Sequence, residues 1–178
     1  MNALLQFSGG KDSLALLFKM EALLPYLDVV MISTGDMPLA AYKNAAIAKE
    51  ICPNFHVIET DPKSWRTRNG DPTSRTWTTC CRENIWAPMA EYIQDGGYRQ
   101  VFRGTKRSDP YIHGVVPGDV VGGVIYTMPL WDWTDDDVRD YLGNKLPAEY
   151  AVASGMPDCV SCPVVEACGG KNREVWRP

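Results

Sequence analysis

A short loop near the start of the chain combines the residue types that bind phosphate groups. It reads Ser8-Gly9-Gly10-Lys11-Asp12-Ser13 and directly follows an apolar run at residues 3–7. Glycine has no Cβ, so the backbone can come close to an anion. A helix that begins at about Ser13 would direct its N–H groups and its positive dipole end back at this loop. The sequence therefore predicts a strand, a turn and a helix that hold the phosphate or pyrophosphate of a nucleotide.

The spacing within this glycine loop excludes two common nucleotide motifs. A Walker A loop needs four residues between its first glycine and Gly-Lys-Ser/Thr, and no third glycine follows for a dinucleotide fingerprint. Lys11 is expected to contact a phosphate or to extend into solvent. Asp12 is expected to cap the helix or to touch the ligand. The simpler alternative for the whole loop is an ordinary strand-to-helix turn.

Five of the six cysteines fall into two groups along the chain. Cys80 and Cys81 are adjacent, whereas Cys159 and Cys162 form a CxxC pair with Cys168 shortly after it. Adjacent cysteines rarely bridge each other, and CxxC pairs commonly chelate metals. The residues alone leave three alternatives for the two pairs: a [4Fe–4S] cluster, a structural zinc ion or no metal. Cys52 stands apart and is expected to be a buried, small apolar residue.

Basic residues form two further candidate groups. Arg103, Lys106 and Arg107 follow an apolar segment and could bind sulfate or phosphate oxygens, with arginine favoured for two-pronged contacts. A solvated surface is the alternative for each of them. The polar segment at 61–79 carries three arginines that could close over an anionic substrate: Arg66, Arg68 and Arg75.

The elements that must position these residues alternate between strands and helices. The sequence predicts strands at 4–7, 28–33, 55–58 and 100–103, helices at 12–24, 38–51, 82–95 and 134–142, and a short final helix at 147–154. This order predicts a parallel sheet with helices on both faces, which binds ligands at the carboxyl ends of its strands. The turn Ser33-Thr34-Gly35 falls at the same edge as the glycine loop. Residues 61–79 are expected to be irregular, and residues 111–130 to form a hairpin or edge strands.

Length and charge limit the class of protein. With 178 residues, the chain is expected to form one domain, with a nucleotide-binding core at 1–145 and a cysteine-rich segment at 146–178. A net charge of −4 argues against a general nucleic-acid-binding surface. No apolar stretch approaches the length of a membrane span, and no signal peptide precedes the glycine loop. A cytoplasmic location is therefore expected, where cysteines serve metal or redox chemistry more often than structural disulfides.

Several of these motifs together resemble one family. The loop Ser-Gly-Gly-x-Asp-Ser resembles the pyrophosphate-binding loop of the adenine nucleotide alpha-hydrolase-like (PP-loop) superfamily. The segment that begins at Cys80 resembles the Cys-Cys-x-x-x-Lys-x-x-Pro-Leu segment of adenylyl sulfate (APS) reductases and of the iron–sulfur form of phosphoadenosine phosphosulfate (PAPS) reductase. Segments at 32–35, 104–108 and 129–141 are similar to further motifs of these enzymes, so the resemblance spans essentially the whole chain.

The resemblance implies a Rossmann-like α/β fold and a reductive reaction. In that family a Cys-Cys pair and a distant CxxC bind a [4Fe–4S] cluster, which assigns Cys80, Cys81, Cys159 and Cys162 to it. A cysteine thiolate attacks the sulfur of APS or PAPS, AMP or adenosine 3′,5′-bisphosphate leaves, and thioredoxin or glutaredoxin releases sulfite. Family members commonly form homo-oligomers. The nucleotide contacts implied here are the loop at 8–13, backbone at 31–34 near the adenine, and Ser33, Thr34, Gly35, Arg103, Gly104, Lys106 and Arg107.

Two departures from the family pattern leave the reaction open. Ser33 replaces the family's aspartate, and Cys168 lies in a short tail that lacks the histidine of the family's Glu-Cys-Gly-Leu-His motif. Cys168 is therefore the candidate nucleophile, a displaced relic or a structural thiol. One alternative function is an ATP-dependent, adenylating enzyme that transfers sulfur to tRNA or DNA. Another is a non-catalytic nucleotide-binding or zinc-stabilised module.

Overall fold

A six-stranded, mostly parallel sheet organises the protein. The computed structural model describes residues 2–109, 114–151, 153 and 155–164. The strand order is β3-β2-β1-β4-β6-β5, and only β5 runs antiparallel to its neighbour. The strands are β1 (Ala3–Gln6), β2 (Asp28–Ser33), β3 (Phe55–Glu59), β4 (Gln100–Phe102), β5 (Val120–Val121) and β6 (Val124–Thr127).

Six α-helices surround this sheet in the part of the chain described. They are α1 (Lys11–Lys19), α2 (Leu39–Ile51), α3 (Pro62–Asn69), α4 (Trp77–Cys81), α5 (Ala87–Asp95) and α6 (Asp135–Leu142). A π-helical segment, Arg82–Trp86, joins α4 to α5, and 3-10 turns cover Glu21–Tyr26, Gly143–Lys145 and Ala148–Ala151. None of the helices described is long and apolar enough to cross a membrane.

The alternation of side chains along the strands places an apolar core on each face of the sheet. Leu5 packs with Leu14 and Val138 in the core beneath α1 and α6. Its neighbour Leu4 packs with Met89, from α5, in the second core. The predicted α/β fold with helices on both faces is therefore confirmed.

The helix boundaries differ from the sequence prediction at several places. The helix predicted at 12–24 ends at Lys19, and a 3-10 turn containing Pro25 replaces its last part. Residues 61–79, expected to be irregular, contain α3 and the start of α4. Helix α3 begins where Asp61 accepts a hydrogen bond from Ser64 N (2.9 Å), and it ends at Gly70, whose φ is +81°.

Two further predictions are corrected near the cysteines. The helix expected at 82–95 starts earlier, so Cys80 and Cys81 lie in the last turn of α4 and not before a helix. The final helix predicted at 147–154 is only a 3-10 turn, Ala148–Ala151, among the residues described. The hairpin expected within 111–130 is confirmed by β5 and β6, whereas residues 110–113 lie outside the described part.

Candidate nucleotide and cysteine site

A large open cavity of about 730 Å³ lies at the carboxyl edge of the sheet. Three loops reach it: the glycine loop after β1, the loop after β2 and the loop after β4. Its polar side includes Ser8, Ser13, Thr34, Arg103 and Asp158. Its apolar side is formed by Ile32, Met37, Trp77, Ile85, Trp86, Met89, Ala90 and Ile93.

The two glycines of the glycine loop have different structural roles. Gly9 has a φ of +78°, and a Cβ on it would lie only 2.9 Å from Ala41 Cβ on α2. Asn44 Nδ2 holds its carbonyl oxygen at 2.7 Å. Gly9 thus allows the close approach of α2 and does not line the cavity. Gly10 does line it and precedes the first residue of α1.

Hydroxyl groups and one phenol stabilise the start of α1. Ser13 Oγ donates to Gly10 O (2.9 Å), and Ser8 Oγ donates to Ser13 Oγ (3.2 Å). Lys11 N donates to the Tyr150 hydroxyl (3.0 Å), whose side chain is buried and also borders the cavity. Sequence analysis missed Tyr150, since the contact joins residues far apart in the chain.

Two buried lysines are neutralised by three aspartates beside this loop. Lys11 Nζ lies 2.9 Å from Asp12 and 2.8 Å from Asp135. Lys106 Nζ lies 2.5 Å from Asp12, 3.1 Å from Asp109 and 3.3 Å from Asp135. Although burial alone would lower it, the pKa of Lys106 is raised by the Asp12 and Asp109 carboxylates. We call these five residues the lysine–aspartate network.

The lysine–aspartate network changes the roles expected from the sequence. Lys11 does not extend into solvent, because its side chain is 3% exposed. Asp12 does not cap α1, since its carboxylate binds both ammonium groups and no side chain caps this helix. Lys106 does not line the cavity, although Lys11 and Asp12 do. The network ties the glycine loop to the loop after β4 and to the start of α6.

Arg103 is the cation that faces the cavity without a carboxylate partner among the residues described. Its guanidinium is largely surrounded by protein, and this burial lowers its pKa. Gly104 follows it on the cavity wall, so close to α1 that a Cβ would lie 3.0 Å from the Asp12 carbonyl. Arg107, by contrast, is exposed and pairs with Asp132 at 2.6 Å, outside the cavity.

The loop after β2 contributes one of its three predicted residues to the cavity. Thr34 lines it, whereas Ser33 ends β2 and Gly35 is exposed, and neither borders the cavity. Thr34 Oγ1 donates to the carbonyl oxygen of Asp158 (3.0 Å). The carboxyl edge of the sheet is thereby in direct contact with the segment that carries the second cysteine pair.

The two cysteine pairs lie together beside this cavity. Cys81, Cys159 and Cys162 border a small crevice with Pro157 and Asp158, and Cys81 and Asp158 also line the large cavity. Cys80 is buried behind them, with Asn84 Nδ2 3.9 Å from its sulfur. Burial, and to a lesser extent the charge of the nearby Cys81, raises the pKa of the Cys80 thiol to about 11. Burial likewise raises that of Cys159 to about 12.

Asp158 stands at the boundary between the crevice and the cavity. The surrounding protein raises its pKa to about 6, although the side chain is open to the cavity. Among the residues described, no three His, Cys, Asp or Glu side chains converge on the position of a single metal ion. The thiols instead stand on two facing elements, α4 and the turn at 159–162.

Comparison with known proteins settles the family. The sequence matches the phosphoadenosine phosphosulfate reductase domain over residues 2–148. The chain belongs to this family. No curated protein matches the chain.

Two solved structures share the fold of this chain. Phosphoadenylyl-sulfate (PAPS) reductase from Candida auris, in a phosphate complex, superposes with a TM-score of 0.66 at 18% identity, over 85% of this chain and 77% of that one. The NH3-dependent NAD synthetase from Campylobacter jejuni subsp. jejuni, in complex with the nitrate ion, gives 0.57 at 15% identity, over 83% and 65%. At these identities the likeness concerns the fold alone.

The apolar wall of the cavity differs from what the family segment suggests. Ile85 stands at the position of the lysine in the Cys-Cys-x-x-x-Lys pattern, and it lines the cavity together with Trp86. Trp77 and Trp86 pack edge to face with ring centroids 6.3 Å apart. Sequence analysis assigned no role to these tryptophans, although their spacing around the cysteine pair was visible.

Two cysteines stand outside the two pairs described above. Cys52 is buried, and burial raises the pKa of its thiol to about 11, as expected for a core residue. Cys168 lies outside the residues described.

Proposed function

We propose that this protein is a sulfonucleotide reductase-like enzyme that reduces APS or PAPS to sulfite and AMP or adenosine 3′,5′-bisphosphate. One observation carries the proposal. A single cavity extends from the glycine loop and Arg103 to Cys81 and Asp158, which border the cysteine crevice. A phosphosulfate bound at the glycine loop would therefore lie next to the cysteines.

The polar side of the cavity supports binding of the anionic end of such a nucleotide. The start of α1 lies at the cavity, and a helix N-terminus favours an anion. The hydroxyls of Ser8 and Ser13 donate to Ser13 and Gly10 here, and they would turn towards a bound anion to donate to it. Arg103 adds a positive charge that has no aspartate partner in the part of the chain that the structure describes. The apolar side, with Ile32 and Met37, supports contact with the adenine, as such pockets usually combine an apolar surface with a few polar groups.

The two cysteine pairs support a [4Fe–4S] cluster more than a zinc ion. Tetrahedral zinc needs four sulfurs about 2.3 Å from one point, whereas each thiolate of a four-iron cluster binds a different iron. Thiols that border a crevice from two sides fit the second donor set. Cys80, Cys81, Cys159 and Cys162 would hold the cluster, which would have a structural and electrostatic role beside the bound sulfate.

The proposed reaction needs one thiolate of the chain and an external dithiol. Cys168, in a tail similar to the family's catalytic motif, would attack the sulfur of the bound nucleotide. A sulfur–sulfur bond forms, the bond from sulfur to the phosphate oxygen breaks, and its electron pair leaves on the nucleotide phosphate. Arg103 would stabilise that developing charge. A thiol of thioredoxin or glutaredoxin then attacks the Cys168 sulfur, which releases sulfite and leaves a mixed disulfide between Cys168 and the partner. The second thiol of the partner attacks that mixed disulfide, so that Cys168 returns as a thiolate and the partner ends with an internal disulfide.

Sulfite release is the experiment that tests this function. The purified protein is incubated with APS or PAPS and reduced thioredoxin, and in parallel with ATP while pyrophosphate release is measured. Sulfite is expected with at least one sulfonucleotide, and it should be lost in Cys168→Ser but retained in the matched variant Cys52→Ser. Pyrophosphate release without sulfite would favour the adenylating alternative.

The metal content provides an independent check of the cofactor. About four irons per chain and a brown colour are expected from the proposed cluster. One zinc per chain, without iron, would contradict it. A zinc-containing protein that releases neither sulfite nor pyrophosphate would favour the non-catalytic module.

A further inference from the structure

Asp36 forms an unusually dense set of contacts with the turn that carries the second cysteine pair. Its carboxylate accepts hydrogen bonds from Ser161 N (3.0 Å) and from the Ser161 hydroxyl. Its backbone oxygen accepts one from Val160 N (2.7 Å). The two residues between Cys159 and Cys162 are therefore both held by a single residue of the loop after β2.

Two basic residues of α3 complete this arrangement. Lys63 Nζ lies 3.2 Å from the Asp36 carboxylate, and Arg66 Nη2 donates to the Ser161 hydroxyl oxygen at 2.7 Å. The Asp36 and Arg66 side chains are only 11% and 10% exposed, so water competes weakly for these bonds. We call Asp36, Lys63, Arg66 and Ser161 the cysteine-turn clamp.

Thr34 connects this clamp to the nucleotide cavity. It lines the cavity, its hydroxyl donates to Asp158 O (3.0 Å), and it accepts a bond from Asp36 N (3.4 Å). A ligand that contacts Thr34 therefore touches a residue that also contacts Asp36 of the clamp and Asp158, which directly precedes Cys159.

We propose that Asp36 is a positioning residue that holds the Cys159–Cys162 turn against the nucleotide cavity. Through Thr34, nucleotide occupancy and exposure of these two thiols then depend on each other. Such coupling is reciprocal. The factor by which a bound nucleotide disfavours opening of the turn equals the factor by which closing of the turn raises the nucleotide affinity. This inference rests on the proposed function only in taking an adenine nucleotide as the ligand.

The test measures thiol modification in the protein as isolated, in which a cysteine that binds a metal would react only after its turn has moved away from that metal. Iodoacetamide labelling is followed by peptide mass spectrometry, which reports Cys159, Cys162 and the distant core residue Cys52 separately. Asp36→Ala should speed labelling of Cys159 and Cys162 about tenfold or more, as expected for the loss of a charge-assisted hydrogen bond, without a change at Cys52. Asp36→Asn keeps an acceptor oxygen, so its labelling rates at Cys159 and Cys162 should lie between those of Asp36→Ala and the wild type.

Asp137 provides a matched control for the clamp. Its carboxylate also accepts from the backbone N–H and the hydroxyl of one residue, Thr134, but at the start of α6. Asp137→Ala should leave labelling of Cys159 and Cys162 unchanged relative to Cys52. Equal acceleration in both alanine variants, or labelling that rises in parallel at Cys52, would overturn the proposal, because either result reports general loosening.

The nucleotide arm of the test uses AMP. AMP should slow labelling of the two thiols in the wild type, and Asp36→Asn should weaken AMP binding by the same factor by which it reduces this protection. Unequal factors, or protection that is unchanged in the variant, would refute the coupling. If AMP does not bind, the same measurement is made with adenosine 3′,5′-bisphosphate. If neither nucleotide binds to the wild type, the coupling fails, while the sulfite assay still tests the proposed function and the labelling without nucleotide still decides the positioning role of Asp36.

Discussion

Lys106→Met removes a buried ammonium group from among three carboxylates. The Lys106 side chain is 1% exposed, and its Nζ lies within 3.3 Å of Asp12, Asp109 and Asp135. Methionine keeps most of the apolar length, so the principal loss is the charge. Breaking a buried ion pair costs about 3–5 kcal/mol. Because the three carboxylates are 29–47% exposed and regain some hydration, we expect a loss of about 2–3 kcal/mol of unfolding free energy.

Urea unfolding, followed by tryptophan fluorescence, measures this loss directly. For a protein of this size it corresponds to a decrease of about 4–12 °C in the melting temperature. Lys63→Met is the matched control, since its ammonium group is 57% exposed and its pair with Asp36 should contribute less than about 1 kcal/mol. A similar small effect for both variants would refute the reasoning. So would a Lys106→Met protein of normal stability that has lost nucleotide affinity, because that result indicates a ligand-binding lysine.

Three further predictions concern the glycine loop, the cavity and acid stability. Arg103→Gln should weaken AMP binding, measured by calorimetry, about tenfold or more, and an unchanged affinity would exclude Arg103 as the anion contact. Gly9→Ala should lower stability by about 1–3 kcal/mol in thermal melts, because it combines a positive φ with a Cβ 2.9 Å from Ala41. Gly35→Ala, with a φ of +65° but no atom within 4 Å, is its control and should cost less. Burial opposes ionisation of Asp135, but Lys11 and Lys106 outweigh this effect and hold the pKa of Asp135 below the usual 3.8. The ionised carboxylate therefore stabilises the fold above pH 3.8, and this stabilisation is lost as the pH falls further. The difference in urea stability between wild type and Asp135→Asn should therefore shrink below pH 4, and a constant difference would contradict this.

The strands and their order of connection could be predicted because they depend on local patterns. The apolar run of β2, for example, matches its bounds in the structure, and the α/β alternation fixes a parallel sheet. Helix α3 was missed because its body is polar and lacks an apolar period. Its ends were nevertheless visible: Asp61 and Pro62 form a helix-start signature, and Gly70 is a typical stop.

The partners of charged residues could not be predicted in the same way. Lys11 and Lys106 looked like phosphate contacts, because the contacts that join them into one network come from other elements: Asp135 binds both ammonium groups, and Asp12 binds Lys106. Asp135 is 124 residues away from Lys11, and no local pattern indicates that contact. The glycine loop itself was visible as a motif, but the packing of Ala41 against Gly9 and the hydroxyl of Tyr150 at Lys11 are tertiary contacts. Which residues line a cavity depends on such contacts, whereas residue types reveal only what each one is able to do.

The distance in sequence between the two cysteine pairs has a consequence for biosynthesis. Cys80 and Cys81 belong to α4, whereas Cys159 and Cys162 follow β4, β6 and α6 in the chain, and Cys81, Cys159 and Cys162 border one crevice in the folded protein. Closing so long a loop is entropically costly, so this contact forms late during folding. Any metal centre at these cysteines would be inserted into an almost finished protein. Cells that produce the chain faster than they supply the metal would then accumulate a folded but unloaded form.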